Sequence, residues 1–266
     1  MTAQTATTAP VIELIAASKT FGVNTVLDDV SITAHAGEVV CLLGDNGAGK
    51  STLIKVLSGV HTLTRGELRV DGRAVEFRSP RDAQALGITT VFQDIDTFPL
   101  MSVAQNFFIG REPMKGRGPF RRMDHKYANS HALEQIREMG IRGVTDGKQL
   151  VGTMSGGERQ ALTIGRALHF GARVLILDEP TSALGVKEAG LVLRQIRNAR
   201  KSGVAVIFIT HNAHHAMTIG DKFTVLKQGK VADQFVQGER SRLEVLTLMA
   251  GGEEIDGDDD ESSAHE

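Results

Sequence analysis

Gly44-Asp45-Asn46-Gly47-Ala48-Gly49-Lys50-Ser51, continued by Thr52, lies between a short apolar stretch at residues 38–43 and a run with apolar residues at Leu53, Ile54 and Leu57. The first stretch reads as a strand and the second as a helix. The eight residues match G-x-x-x-x-G-K-[ST] in the strand–loop–helix setting which that pattern requires. The glycines let successive backbone N–H groups turn inward on phosphate oxygens. The helix beginning near Lys50 adds its positive end. Lys50 supplies a point charge for β- and γ-phosphates, and the Ser51 hydroxyl suits Mg²⁺. The stretch predicts a nucleoside-triphosphate site on an α/β fold.

Outward from this loop the chain alternates. Residues 11–17 and 26–34 read as strands joined by a glycine-containing turn, and residues 66–70 and 74–77 flank Asp71-Gly72, a hairpin signal. Residues 87–92 form the next strand. Strands return at 173–177, 204–209, 223–226 and 231–235, with a helix over residues 186–201 between the first two. Alternating strands and helices argue for a mainly parallel sheet. The early hairpins argue for an antiparallel β subdomain, and the Met-rich middle, broken by Gly116, Gly118 and Pro119, for a helical one. The expected organisation is a flexible N-terminus at residues 1–10, one ATPase-like domain at 11–250 with a helical insertion at about 94–165, and an acidic disordered tail at 251–266.

Four further features bear on chemistry. Residues 174–179, Val-Leu-Ile-Leu-Asp-Glu, form a buried strand ending in two carboxylates. Neighbours on a strand point to opposite faces, so at the strand's exit the pair must divide the work. Asp178 suits Mg²⁺, through water, and Glu179 suits the role of general base on an attacking water. Gln93 and His211 each follow an apolar strand, where ligands of parallel sheets sit. Ser155-Gly156-Gly157-Glu158-Arg159 has no phosphate-loop role in its own chain yet is built to hold phosphate, which implies a site completed by a second copy.

Composition sets the limits. The 266 residues are 41% apolar and 23% charged, ordinary for a globular protein. The single cysteine, Cys41, excludes a disulfide within the chain, so a reducing compartment is expected. Residues 1–10 lack a basic start and an apolar stretch, so they do not read as a secretory signal. The apolar runs are too short to cross a bilayer. Residues 251–266 hold eight acidic residues and no Lys or Arg, leaving 30 basic against 24 acidic residues before them. That mildly basic body suits an anionic ligand but shows no basic stripe of the kind that argues for nucleic acid.

Together these motifs resemble the ATPase subunit of ATP-binding-cassette (ABC) transporters, and the resemblance spans residues 11–250. It implies that residues 44–51 are the Walker A loop and Gln93 the Q-loop glutamine, a Mg²⁺ contact beside Ser51 and Asp178. It implies that residues 155–160 are the signature motif, Asp178 and Glu179 the Walker B pair, and His211 the switch histidine. Phe21 matches the aromatic that stacks on adenine. The implied mechanism is a head-to-tail homodimer sandwiching two ATP molecules. Ser155, Gly156 and Gly157 of one copy then serve the γ-phosphate held by the other. Closure on ATP and reopening after hydrolysis would drive transmembrane permease subunits. One position departs from the family pattern: Gly185 stands where most cassettes have Asp.

The flanking residues, 44–55 and 98–106, resemble importers of simple sugars such as ribose, xylose or fructose. This implies a peripheral protein on the cytoplasmic face of a bacterial inner membrane, served indirectly by a periplasmic sugar-binding protein. Residues 98–108 lie where such ATPases receive a permease helix. Phe107 and Phe108 read equally well as helical core, and Arg117, Arg121 and Arg122 as a solvated loop. A transporter ATPase for another small solute, or an ABC ATPase outside transport, stays open.

Overall fold

The computed structural model describes residues 9–93 and 97–250. The acidic tail expected at 251–266, residues 1–8 and Asp94, Ile95 and Asp96 lie outside the described residues. The order is β1 (Ile12–Phe21), β2 (Asn24–Ala34), β3 (Val39–Leu43), α1 (Lys50–Leu57), β4 (Arg65–Val70), β5 (Arg73–Val75), α2 (Pro80–Ala85), β6 (Ile88–Val91), α3 (Val103–Phe108), β7 (Met114–Lys115), β8 (Arg122–Met123), α4 (His125–Glu138), α5 (Gly156–His169), β9 (Val174–Asp178), α6 (Val186–Lys201), β10 (Ala205–Ile209), α7 (Ala213–Ile219), β11 (Lys222–Lys227), β12 (Lys230–Val236) and α8 (Arg242–Met249).

The central sheet runs β12-β11-β3-β10-β9-β6. All neighbours are parallel except β11 and β12, which form an antiparallel edge pair. A strand covered on both faces is apolar throughout, and its alternate residues feed two cores. On β9, Val174 and Ile176 join the core shared with α1 and the antiparallel sheet, while Leu175 and Leu177 join the core beneath α5, α6 and α7. On β3, Val40 and Leu42 face the first core, and Val39, Cys41 and Leu43 the second. The helix expected over residues 186–201 is α6. It buries Ala189, Val192, Leu193, Ile196 and Ala199, a stripe at helical spacing.

The second sheet is antiparallel, in the order β2-β1-β4-β5. At its β4–β5 turn both Asp71 (φ 51°) and Gly72 (φ 73°) are left-handed, as a type I′ hairpin requires. The helical lobe has its own core, from α3, α4 and α5, with Phe107, Ala132 and Ile136 fully buried. Phe107 and Phe108 are therefore core residues. The exposed apolar side chains of this stretch are Phe98 and Leu100. Two details differ from the sequence reading. The glycines at 116 and 118 lie in the link of a small β7–β8 hairpin rather than breaking a helix. The helix α5 runs through residue 165 to His169, because Ala161 and Leu162 pack in the lobe while Ile164 and Ala167 pack under the central sheet.

Asn106 is fully buried. Its amide oxygen accepts from the Phe98 N–H (2.7 Å), and its amide nitrogen donates to the carbonyls of Phe98 (3.0 Å), Met101 (3.3 Å) and Ser102 (3.0 Å). One side chain thus satisfies the backbone of the loop carrying Phe98 and Leu100.

Phe107 is a fully enclosed aromatic, so Phe107→Ala should lower unfolding free energy by about 3–5 kcal/mol. Urea denaturation followed by circular dichroism checks this, and a loss under about 1 kcal/mol would mean the lobe core relaxes around the cavity.

Candidate functional site

The loop after β3 is shaped by what its glycines exclude. Gly44 has φ 147°, and a Cβ there would stand 2.4 Å from the Leu226 carbonyl oxygen. Gly49, the N-cap of α1, has φ 103°, and a Cβ there would meet Leu27 Cδ2 at 2.9 Å. The turn after β11 braces the loop from behind: the Gly229 N–H donates to the Ala48 carbonyl at 3.0 Å. Lys50 is buried, and its ammonium donates to the carbonyls of Gly44 (2.6 Å) and Asp45 (2.9 Å).

Residues 45–52, Val26, Gln93, Asp178 and Glu179 line one cleft of about 210 Å³. Asp178 keeps the alternation of β9 and lies on the α1 side. Burial and the neighbouring Glu179 push its carboxyl above the usual carboxylate range, against Lys50 and Lys55, which pull it down. Glu179 breaks the alternation: its φ is 47°, a left-handed conformation that costs a non-glycine residue about 1 kcal/mol or more. That turn brings both carboxylates to the same cleft.

The ends of β9 and β10 hold Glu179 in this conformation. Its N–H donates to the Ile209 carbonyl (3.0 Å), Oε2 accepts from the Thr210 hydroxyl (3.2 Å), and Oε1 accepts from His211 Nδ1 (2.9 Å). An ionised carboxylate can only accept, which assigns the proton to Nδ1. Thr210, fully buried, had no place in the sequence reading. Its one signal is a hydroxyl directly after a wholly apolar strand. His215, whose Nδ1 lies 2.9 Å from Thr181 Oγ1, was missed for want of any motif.

Gln93 borders a second cleft as well, lined by Thr97, Pro99, Gly156, Arg159 and residues 182–184. Ser155 and Gly157 line neither. Ser155 caps α5 with a capping box: its Oγ accepts from the Glu158 N–H (3.3 Å), and Glu158 Oε2 accepts from the Ser155 N–H (3.0 Å). Phe21 is exposed at the end of β1, across the hairpin from Asn24, and does not line the loop cleft. His61 meets its ring edge-on at 5.2 Å, and the Lys19 ammonium lies 5.1 Å from its centroid. Gly185 is the N-cap of α6 at φ −65°, so no backbone strain demands glycine there.

A phosphate loop and a strand-terminal acid pair at the carboxyl edge of a parallel sheet define a nucleotide-binding α/β domain. The family model described as "ABC transporter" matches residues 27–182. The chain belongs to that family, as its ATPase domain. It is 37% identical over 240 residues to the fructose import ATP-binding protein FrcA of Rhizobium meliloti, covering 89% of this chain and 92% of that one. It is 40% identical over 231 residues to the xylose/arabinose import ATP-binding protein XylG of Sulfolobus acidocaldarius, covering 87% and 90%. The putative ribose/galactose/methyl galactoside import ATP-binding protein 2 of Burkholderia cenocepacia is 40% identical, and the match spans 47% of its length. Among solved structures, a nucleotide-free ATP-binding cassette from an ABC transporter superposes with TM-score 0.76 at 22% identity, covering 91% of this chain and 95% of that one. A dimeric bacterial ABC transporter cassette superposes with TM-score 0.69 at 24% identity, covering 86% and 99%.

The raised Asp178 pKa has a sign that can be measured. The folded state holds this proton more tightly than the unfolded chain does, so stability falls as pH rises from the unfolded value of about 3.9 through the raised folded one. Without nucleotide or Mg²⁺, Asp178→Asn should raise Tm at pH 7, and the gain should shrink as pH is lowered toward 4. Thermal scans across that range check it; equal melting at pH 7 contradicts it.

Proposed function

We propose that this chain hydrolyses ATP to energise an importer of a monosaccharide. Two copies close head to tail over two ATP molecules on the cytoplasmic side of a membrane, beneath separate permease subunits fed by a periplasmic binding protein. The observation that carries the reading is the clamp on Glu179, whose carboxylate is held by Thr210 and His211 at the mouth of the phosphate-loop cleft. The names of the similar sugar-import proteins from Rhizobium and Sulfolobus support the choice of cargo.

In this reading the amides of residues 44–52 and the Lys50 ammonium bind the phosphates, and Phe21 packs on the base. Glu179 takes a proton from the attacking water. His211, donating through Nδ1, fixes the carboxylate that does so. Gln93 borders both clefts and is placed to sense the γ-phosphate. The half-buried carboxyl of Asp178, held near two lysines and raised by burial, suits a cation. Ser51, Gln93 and Asp178 would hold Mg²⁺, which when bound neutralises phosphate charge. Ser155, Gly156 and Gly157 complete the site of the other copy from the positive end of α5. Among the described residues no helix is long and apolar enough to cross a membrane. The exposed Phe98 and Leu100 form the apolar seat for a permease helix, beside the half-exposed Leu150, whose strand bridge to Ser102 ties the two segments.

Glu179→Gln should leave ATP binding intact and lower turnover by roughly 10²–10⁴-fold, the usual worth of a general base. A phosphate-release assay reads this, and near-normal turnover would move the base elsewhere. Leu100→Glu should leave the ATPase rate of the isolated subunit unchanged. In cells deleted for the gene it should fail to restore uptake of the labelled sugar that the wild-type chain restores. Restored uptake would remove the seat from this loop, and normal uptake of every monosaccharide by the deletion strain would refute the cargo.

A further inference from the structure

The N-terminal end of α5 carries two of the groups assigned above to the partner's γ-phosphate, the Ser155 hydroxyl and the Gly157 amide. A carboxylate of the same chain already lies against them. Glu188, in the first turn of α6, accepts a hydrogen bond at Oε2 from the Gly185 N–H at 3.2 Å. Its stem covers Gly157: a Cβ built on Gly157 would stand 2.6 Å from Glu188 Cβ and 3.2 Å from its Cγ. Gly157 is accordingly buried, although it sits in the first turn of an otherwise accessible helix end. The Ser155 hydroxyl, the Gly185 amide and the Gly157 amide all act on the Glu188 carboxylate, and together they hold it below the usual carboxylate range. The positive ends of α5 and α6 thus converge on one anionic side chain.

A helix cap alone does not explain this arrangement. The bond from Glu188 back to Gly185 is the acidic half of a capping box and needs nothing from α5. The contact with Gly157 and the pull from Ser155 come from a different helix. The Ser155 Oγ lone pair already accepts from the Glu158 N–H, which leaves its proton to donate. The Glu188 carboxylate, seated over Gly157 by its stem, is drawn toward that donor, the same one an incoming phosphate oxygen needs. Two anions cannot share it, because like charges at contact repel.

The position that departs from the family pattern supplies room. A Cβ on Gly185 would meet nothing within 4 Å except Glu188 Oε2, at 3.9 Å. Arg159, one turn along α5, draws Glu188 by its charge, and its Nε is buried with no hydrogen-bond partner among the described residues. A Glu188 carboxylate turned away from Ser155 has a cation beside it.

We propose that Glu188 is an internal substitute for the γ-phosphate: in the separated subunit its carboxylate occupies the Ser155–Gly157 turn, and closure over ATP requires the partner-held phosphate to displace it. The inference rests on the shared-site reading of Ser155 and Gly157. Glu188 acts on closure and not on nucleotide binding by its own chain, since it lies outside the phosphate-loop cleft.

The test uses Glu188→Gln in the full chain, combined with Glu179→Gln to block turnover. Glutamine keeps the capping-box acceptor and removes the charge, so α6 stays capped. Dimer formation is followed by light scattering against rising Mg-ATP. The dimer dissociation constant should fall by roughly threefold for each of the two sites, about tenfold in all, the scale of one exposed charge interaction per site, and the ATP concentration at half-dimerisation by about threefold, because two ATP-loaded subunits enter each dimer. Affinity for a fluorescent ATP analogue, measured at protein concentrations too low for dimers, should not change. An unchanged or raised midpoint overturns the proposal, the raised case making Glu188 a contact of the closed dimer instead. A parallel Ser155→Arg chain separates the two ideas: if it still dimerises, the shared-site reading fails; if it does not and Glu188→Gln leaves the midpoint unmoved, Glu188 alone is wrong.

Discussion

Burial of β3, β9 and β10 on both faces is the constraint on which the rest depends. Every apolar side chain on these strands is committed to one of two cores, so a slip of one residue would exchange the two sets and bury Asp178 among apolar helices. With register this tightly specified, the carboxyl ends of the strands become fixed points in space. The phosphate loop leaves β3, the acid pair leaves β9, and Thr210 and His211 leave β10, the strand between them. The sheet order therefore brings together residues separated by more than 160 positions in sequence. Glu179 leaves the strand in a strained left-handed conformation, and three hydrogen bonds from the end of β10 hold it in place.

Anion handling follows a second rule, applied several times. The helix α1 points its positive end into the glycine loop, α5 points its own at Ser155 and Gly157, and α6 points its own at Glu188. The first two ends face ligand positions in the proposed dimer, and the third is served by a side chain. A helix end attracts any anion, so what separates these sites is which anion has the shorter way in. Glycine at 185, where a carboxylate is usual in the family, leaves that choice to Glu188.

The sequence made the central features legible wherever one residue type has few alternatives. The glycine loop, the strand-terminal acids and the Asp71-Gly72 hairpin were readable because φ, charge or alternation restricts them. The nine longer strands and α6 were readable because burial enforces periodicity. Three short helices went unread: α2, α7 and α8. Two of them carry signals visible in hindsight, since Ser79-Pro80-Arg81-Asp82 is a capping box with proline at its first turn, and Ser241 with Glu244 repeats the box before α8. At six and eight residues, neither shows enough of a stripe to be found by period. Thr210 and Glu188 were illegible for another reason. Glu179 and Gly157 lie on other elements, and no spacing along the chain announces a contact made only after folding.

Asn106 has a further consequence. It ties down the backbone of residues 98–102 through four hydrogen bonds while leaving the Phe98 and Leu100 side chains outside. Shape and surface chemistry of that loop are thus under separate control. If the loop is the seat for a permease, mutations at two outward positions can retune the fit to a different membrane partner without disturbing the frame. The same ATP-driven engine then becomes an exchangeable part, adapted to a new channel by drift at its rim while its interior stays as it is.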